Sequence, residues 1–371
     1  MRRKTKLCHG TAVTESSFVP AAQLSGAFYQ EVVRPLLAGR SHAAALLGWG
    51  SDVLGYDTAR STDHGWGPRL LVFLDRSDHA REFAAGLDDA LPQSFHGWPV
   101  RYGWDGIPPA HQVTVTTLPD WLTAHVGVDV TAGMSSLDWL LAPQQQLLGI
   151  VSGAVYADDT GSLQAIRRDL AWYPDQIWRW LVACQWHRIA QEEAFVARTA
   201  EVGDETGSAV TAARLVRDLI RLALLLERRY SPYQKWLGTA FAAGPHPEGL
   251  PECLSGALRA RGVAQREESL ARAYRALADR HNRTGLTAAL DPTIRTYHQR
   301  PARVLLADRF TAATLSTVTD PMLRGLPLIG GVDQVVDSVA VLSDPAQCRH
   351  LAGLYQADRA GQADRVDRAR P

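Results

Sequence analysis

An excess of charge of either sign is missing from this chain: Lys and Arg together number 39, and so do Asp and Glu, for a formal net charge of zero. That balance excludes a global basic field of the kind that binds nucleic acid without regard to sequence. A long polynucleotide partner is therefore not expected, although a local basic groove is compatible with the composition. Cysteine is scarce. Cys8, Cys184, Cys253 and Cys348 are far apart and match no metal-ligand spacing, which fits isolated thiols in a reducing compartment. Long apolar runs are absent as well. The basic start from Met1 to Lys6 has the charge of a signal n-region, but Thr, Glu, Ser and Pro interrupt residues 9–20. No stretch approaches the ~18 apolar residues needed to span a bilayer. The expectation is a cytoplasmic protein with no membrane partner. No internal repeat is visible, and nothing in the pattern sets the oligomeric state.

What the chain does have is material for a core. It is 371 residues long, 46% hydrophobic and 21% charged, with 11 Trp, enough for two domains. Residues 1–20 form a loose lead-in. Leu24, Phe28, Val32, Val33 and Leu36 recur at helical spacing over Ala21 to Leu37. His42 to Gly48 is a short apolar run entering a glycine turn, and Arg69 to Leu74 (R-L-L-V-F-L) is the clearest strand. A helix follows from Asp78 to Leu91, then strands at Trp98 to Tyr102 and His111 to Thr117. Beyond residue 135 the character changes: 174–200, 208–229 and 264–281 are long, free of internal Pro and carry heptad-like apolar stripes. Asp158 to Gly161 reads as a hairpin turn. The tail from Ala357 to Pro371 alternates Asp, Arg, Ala and Gly without an apolar face and is expected to fray.

The chemistry-bearing stretch is Gly48 to Leu74, G-W-G-S-D-V-L-G-Y-D-T-A-R-S-T-D-H-G-W-G-P-R-L-L-V-F-L. A Gly-Ser turn at a helix start offers backbone N–H groups and a hydroxyl to phosphate oxygens, and glycine lets the backbone come close. Eleven residues separate Ser51 from Asp63, and a strongly apolar strand follows. This combination resembles the signature of the nucleotidyltransferase superfamily: a hydrophobic strand, Gly-Ser, a spacer, then two acids one residue apart on the next strand. The stretch S-D-V-L-G-Y-D-T-A-R-S-T-D-H-G-W-G-P-R, with Y-S-P-Y-Q-K-W-L-G-T-A-F at Tyr230 to Phe241, resembles more narrowly an uncharacterised bacterial family of nucleotidyltransferase-like proteins, classed as a domain of unknown function. Arg198, Gly203-Asp204-Glu205 and Gly330-Gly331-Val332-Asp333-Gln334 are similar to further positions of that family. The likeness runs over most of residues 22–342.

The resemblance implies an α+β chain, with an N-terminal nucleotidyltransferase-like mixed sheet and helices over 22–134. A mostly helical domain over 135–345 and a partly disordered tail over 346–371 would follow. It implies transfer of a nucleoside monophosphate from an NTP, expected to be ATP, to a hydroxyl of a small-molecule acceptor. Asp63 would hold Mg²⁺, Gly50 and Ser51 would seat the phosphates, and Lys235 would bring a cation to the triphosphate. Tyr233, with Trp236, could hold a base or sugar, although Lys235 snorkelling beside two core aromatics accounts for the same residues. Arg69 reads either as a phosphate contact or as a strand-edge charge. Arg198, Asp204, Arg214 and Arg217 would share a helical face, which a solvated charged surface explains equally well.

One departure from the pattern matters. Family members carry a second Asp two residues after the first, where this chain has Gly65, and the later strand His111 to Thr117 has no acid, with Thr114 at the corresponding place. Asp52, Asp57, Asp105 or His64 could substitute. The alternative is a protein that keeps the fold and binds a nucleotide, or serves a regulatory role, without efficient catalysis. A structural role, with Trp172, Trp178, Trp180 and Trp186 forming a partner surface, is the third reading, and core packing accounts for those residues more economically.

Overall fold

The computed structural model describes residues 18–63, 65–104 and 106–356. The chain divides into two compact units. One takes the described residues up to Leu122 and adds Gly149–Asp169; the other takes Thr123–Leu148 and the described residues from Leu170 onward. The boundary read at residue 134 does not coincide with this division. Ala154–Asp158 is a strand that pairs with Ala43–Leu46, so a segment assigned to the helical part completes the first unit's sheet. The tail from Ala357 and the thiol of Cys8 lie outside the described residues.

In the first unit, helix α1 (Ala21–Phe28) runs on through a π turn over Tyr29–Val33 and a short α segment at Arg34–Leu36. Strands β1 (Ala43–Leu46), β2 (Arg69–Leu74), β3 (Arg101–Trp104), β4 (Ile107–Thr117) and β5 (Ala154–Asp158) form one sheet in the order β3-β4-β2-β1-β5. The sheet is mixed: β1 is antiparallel to β2 and β5, β2 is parallel to β4, and β3 is antiparallel to β4. β1 is Ala-Ala-Ala-Leu and buried at every position, as a strand covered on both faces must be. β2 alternates. Leu70, Val72 and Leu74 join Leu24, Phe28 and Val33 in one apolar core, which leaves Arg69 and Leu71 on the other face beside Gln112 and Thr114 of β4, their register neighbours.

The turn leaving β1 is held by close backbone contact. Gly48 N–H donates to the Gly149 carbonyl at 2.9 Å. A Cβ on Gly149 would meet the Gly48 carbonyl oxygen at 2.5 Å and its carbon at 3.0 Å. The turn read as a hairpin at Asp158 to Gly161 is instead the start of a helix, Ser162–Asp169. The Asp158 carboxylate accepts the backbone N–H groups of Leu163 and Gln164, and such a side-chain acceptor favours helix initiation over chain reversal.

The second unit is mostly helical. Its longest elements are Asp175–Glu192, Glu205–Leu226 and Val263–Arg283, close to the three segments expected from their apolar stripes. Trp178, Trp180 and Trp186 are 3%, 0% and 0% exposed, so they are core and offer no partner surface. Cys184, Cys253 and Cys348 are free and buried. Among the described residues, no helix is long and apolar enough to cross a membrane.

Two buried ionisable groups pull this unit's stability in opposite directions with pH. His281 accepts the Trp186 indole N–H at Nδ1, 3.1 Å away, and burial lowers its pKa to about 4. Its contribution is complete above the unfolded-state value near 6.5 and is lost as pH falls toward 4. Glu193 accepts the backbone N–H groups of Leu305 and Ala307 at 2.7 and 2.9 Å, and burial pushes its pKa up to about 7. Its protonated form is favoured in the fold, so its contribution is complete below about pH 4.5 and is lost as pH rises through about 7.

Two expected outcomes follow from the packing and the titrations. Gly149→Ala should lower the unfolding free energy by about 1–3 kcal/mol in denaturant melts, because the obstructing atoms are backbone; an unchanged or higher stability would contradict the close contact. His281→Asn should tilt the stability–pH profile toward acid relative to wild type, and Glu193→Gln should tilt it toward base. Urea midpoints measured between about pH 4.5 and 7.5 check both, and parallel profiles would refute the assigned titrations.

Candidate functional site

The segment between β1 and β2 contains Gly50, Ser51 and Asp63. Gly50 has φ +130°, a conformation that side chains other than glycine's rarely adopt. It precedes a single helical turn, α2 (Ser51–Leu54), which Gly55 ends in the left-handed conformation. Ser51 is the first residue of that turn and is half-buried.

Arg69, the first residue of β2, reaches back to this turn. Its Nε and NH2 donate to Asp52 Oδ2 at 3.1 and 2.7 Å, and its NH2 also donates to the Trp49 carbonyl at 2.8 Å. The two side chains are 28% and 18% exposed, sheltered enough for the pair to be stronger than an ordinary surface ion pair. A recess of about 110 Å³ lies beside it on the sheet face, lined by Ala45, Leu46, Leu47, Arg69, Leu71 and Thr114, among others. Arg69 is thus neither a bare strand-edge charge nor an uncommitted phosphate ligand: Asp52 holds its guanidinium.

The rest of the motif builds this geometry. The Asp57 carboxylate accepts the backbone N–H of Ala21 at 2.7 Å and so caps α1; burial raises its pKa. Gly67 lies against Tyr102, whose ring a Cβ would meet at 2.6 Å, and the Tyr102 hydroxyl donates to the Gly67 carbonyl. Arg69 N–H then donates to Ser25 Oγ as β2 begins. Asp57, weighed as a stand-in for the missing acid, and Gly67 therefore serve architecture.

Asp63 does not lie on a strand. It ends a 3₁₀ turn over Ala59–Asp63, six residues before β2, and is exposed. The turn is stabilised locally: Ser61 Oγ accepts the Thr58 N–H, and Thr62 Oγ1 donates to the Ala59 carbonyl. Such side-chain bonds compete with extended structure. The alternation that would put residues 63 and 65 on the same side of a strand does not apply here. Gly65 has φ +54°, and its Cβ would approach the Trp104 ring at 3.1 Å and the Gly103 carbonyl at 3.3 Å, so this position suits glycine. His64 and Asp105 lie outside the described residues.

These donors do not fit a carboxylate-held metal. Asp52 is engaged by Arg69 and Asp57 by Ala21, β4 offers Thr114 where an acid was sought, and residue 65 has no side chain. Among the described residues, no group of three or more His, Cys, Asp or Glu is placed to hold a metal ion.

Lys235 and Tyr233 belong to the second unit. Lys235 is exposed on the helix Gln234–Ala242, with Nζ 5.1 Å from the Trp236 ring centroid. The Tyr233 backbone N–H donates to Gln145 Oε1 at 3.0 Å, and its hydroxyl accepts the Trp236 indole N–H at 2.9 Å. The Gln144 side chain likewise accepts the Ser231 N–H, so the Y-S-P-Y loop is pinned by a Gln pair. Arg214 pairs with Glu192, Arg217 pairs with Asp337, and Asp204 caps the helix Glu205–Leu226 by accepting the Gly207 N–H. Arg198 is exposed, its guanidinium 5.5 Å from the Phe195 ring centroid.

Sequence reasoning missed the Asp52–Arg69 pair. Both residues had been weighed separately, and nothing in a separation of seventeen positions links them without the sheet.

Residues 139–237 match a family described as a domain of unknown function (DUF4037). No curated protein matches the chain. Among solved structures, a nucleotidyltransferase-like protein from Exiguobacterium sibiricum 255-15 is similar at 13% identity, over 82% of this chain and 91% of that one, with a TM-score of 0.30.

Proposed function

We propose that this chain is a nucleotide-binding protein of nucleotidyltransferase type, with an NTP, ATP in the first instance, seating its phosphates at the Gly50–Ser51 turn. The observation that carries the reading is the convergence of that turn with the Arg69 guanidinium at one end of the two interior strands β1 and β2. Glycine backbone open to close approach and a fixed cation are the two elements that oxyanion recognition requires. The neighbouring recess, with Thr114 and Leu71 on its floor, gives a bound group a place beside the sheet. Magnesium would arrive with the nucleotide, because the side chains around the turn do not make up a metal-holding set.

Transfer to a small-molecule hydroxyl is the second reading, favoured by one feature: Asp63 is an exposed carboxylate in the motif between the turn and β2. Gly65 leaves the position two residues on without a carboxylate, so binding with impaired or absent transfer agrees better with this motif.

Calorimetric titration tests the first reading. Wild type should bind ATP, and Arg69→Gln should weaken that affinity about tenfold or more, the loss typical of a charge-assisted contact. Equal affinities would remove Arg69 from the site. For the second reading, a labelled NTP incubated with candidate hydroxyl acceptors should give incorporation that Asp63→Ala abolishes; incorporation that survives the change would strip Asp63 of its role.

A further inference from the structure

The cation at the proposed phosphate site is already bound to an anion, and that anion belongs to the protein. Arg69 directs the edge of its guanidinium, Nε and NH2, at Asp52 Oδ2. This is the edge by which arginine grips phosphate and carboxylate oxygens alike. The other carboxylate oxygen, Oδ1, lies against Gly50 so closely that a Cβ at that residue would overlap it. The room that the glycine leaves open is therefore filled by Asp52. Neither partner is deeply buried, at 28% and 18% side-chain exposure, so the pair can open without stranding a charge in hydrocarbon.

We infer that Asp52 is a built-in competitor for the anion at Arg69, an autoinhibitory contact that a phosphate group must displace in order to bind. The inference rests on the nucleotide-binding reading above and adds its regulation: occupancy is set by the difference between ligand and Asp52 at one guanidinium. Asp52 lowers affinity for every polyphosphate alike and favours ligands with enough charge to outcompete a single carboxylate. A structural role for Asp52 makes the opposite forecast, since loss of the pair would then loosen the turn and weaken binding.

The test titrates wild type, Asp52→Asn and the double variant Asp52→Asn/Arg69→Gln with ATP and, as a probe without base or sugar, inorganic triphosphate, while thermal melts follow folding. Asparagine keeps the shape and removes the charge. The expected result is that Asp52→Asn binds both probes roughly three- to tenfold more tightly than wild type, the scale of a partly exposed ion pair, and that the double variant loses the gain. If wild type binds and Asp52→Asn binds equally or more weakly, the competitor role is overturned while nucleotide binding stands. If a folded Asp52→Asn and wild type both fail to bind either probe, the nucleotide reading falls and the inference falls with it. Should Asp52→Asn not fold, the wild-type nitrogen-15 spectrum decides. The Arg69 Nε–H resonance must move when triphosphate is added, and a resonance that stays in place at saturation rejects displacement.

Discussion

The ion pair between Asp52 and Arg69 joins the two halves of the motif on which the N-terminal unit is built. β1 and β2 run antiparallel, so the residues that leave β1 and the residue that begins β2 lie at the same end of this strand pair. With Arg69 also bonded to the Trp49 carbonyl, one side chain fixes the backbone of the turn and the charge of the residue beyond it. In a site this sheltered, water competes less for the pair than it would at an open surface. The turn is consequently a set geometry rather than a loose connection, which is what a recognition site for a small anion needs.

Close backbone approach is the second constraint. Gly149 against Gly48, and Gly67 against Tyr102, are contacts that any larger residue would push apart. The first sets Gly149 against the exit of β1. The second lets the Tyr102 hydroxyl bond to the Gly67 carbonyl just before β2 begins. A motif that resembles catalytic machinery thus spends several of its residues on holding Arg69 and Gly50 in place. The acids make the same point: Asp57 serves the N-terminus of α1 and Asp52 serves Arg69, and each duty occupies a carboxylate that a metal would otherwise need.

The helical unit shows the same economy with buried polar groups. Glu193 is 6% exposed, yet it accepts the backbone N–H groups on either side of Leu306, a residue with φ +57°. Successive amides around a left-handed residue make a concave anion site, and here the protein fills it with its own side chain. Asp333 accepts the Gln144 N–H, and the Gln144 side chain in turn accepts the N–H of Ser231. The G-G-V-D-Q and Y-S-P-Y segments, far apart in sequence, thereby meet through one glutamine.

Much of the architecture was legible before any coordinates. R-L-L-V-F-L reads as the clearest strand and the long stripes after residue 174 as helices, because burial of one face or two is a local property of the pattern. The Gly-Ser turn was legible for the same reason, since glycine advertises a backbone need. Asp63 was misplaced because Ser61 and Thr62 bond to the backbone locally and wind a 3₁₀ turn, and that competition does not register in a pattern of apolar residues. The hairpin at Asp158 failed similarly, when the aspartate proved to be a helix cap. Which charges face each other was settled only by folding. Strand pairing brings residue 69 back to residue 52 and carries residue 154 into the sheet of residue 43, and long-range pairing of that kind leaves no trace in local spacing. Local pattern thus specifies the elements and supplies the candidate groups, while strand pairing sets the cation of the site against an acid of the same chain.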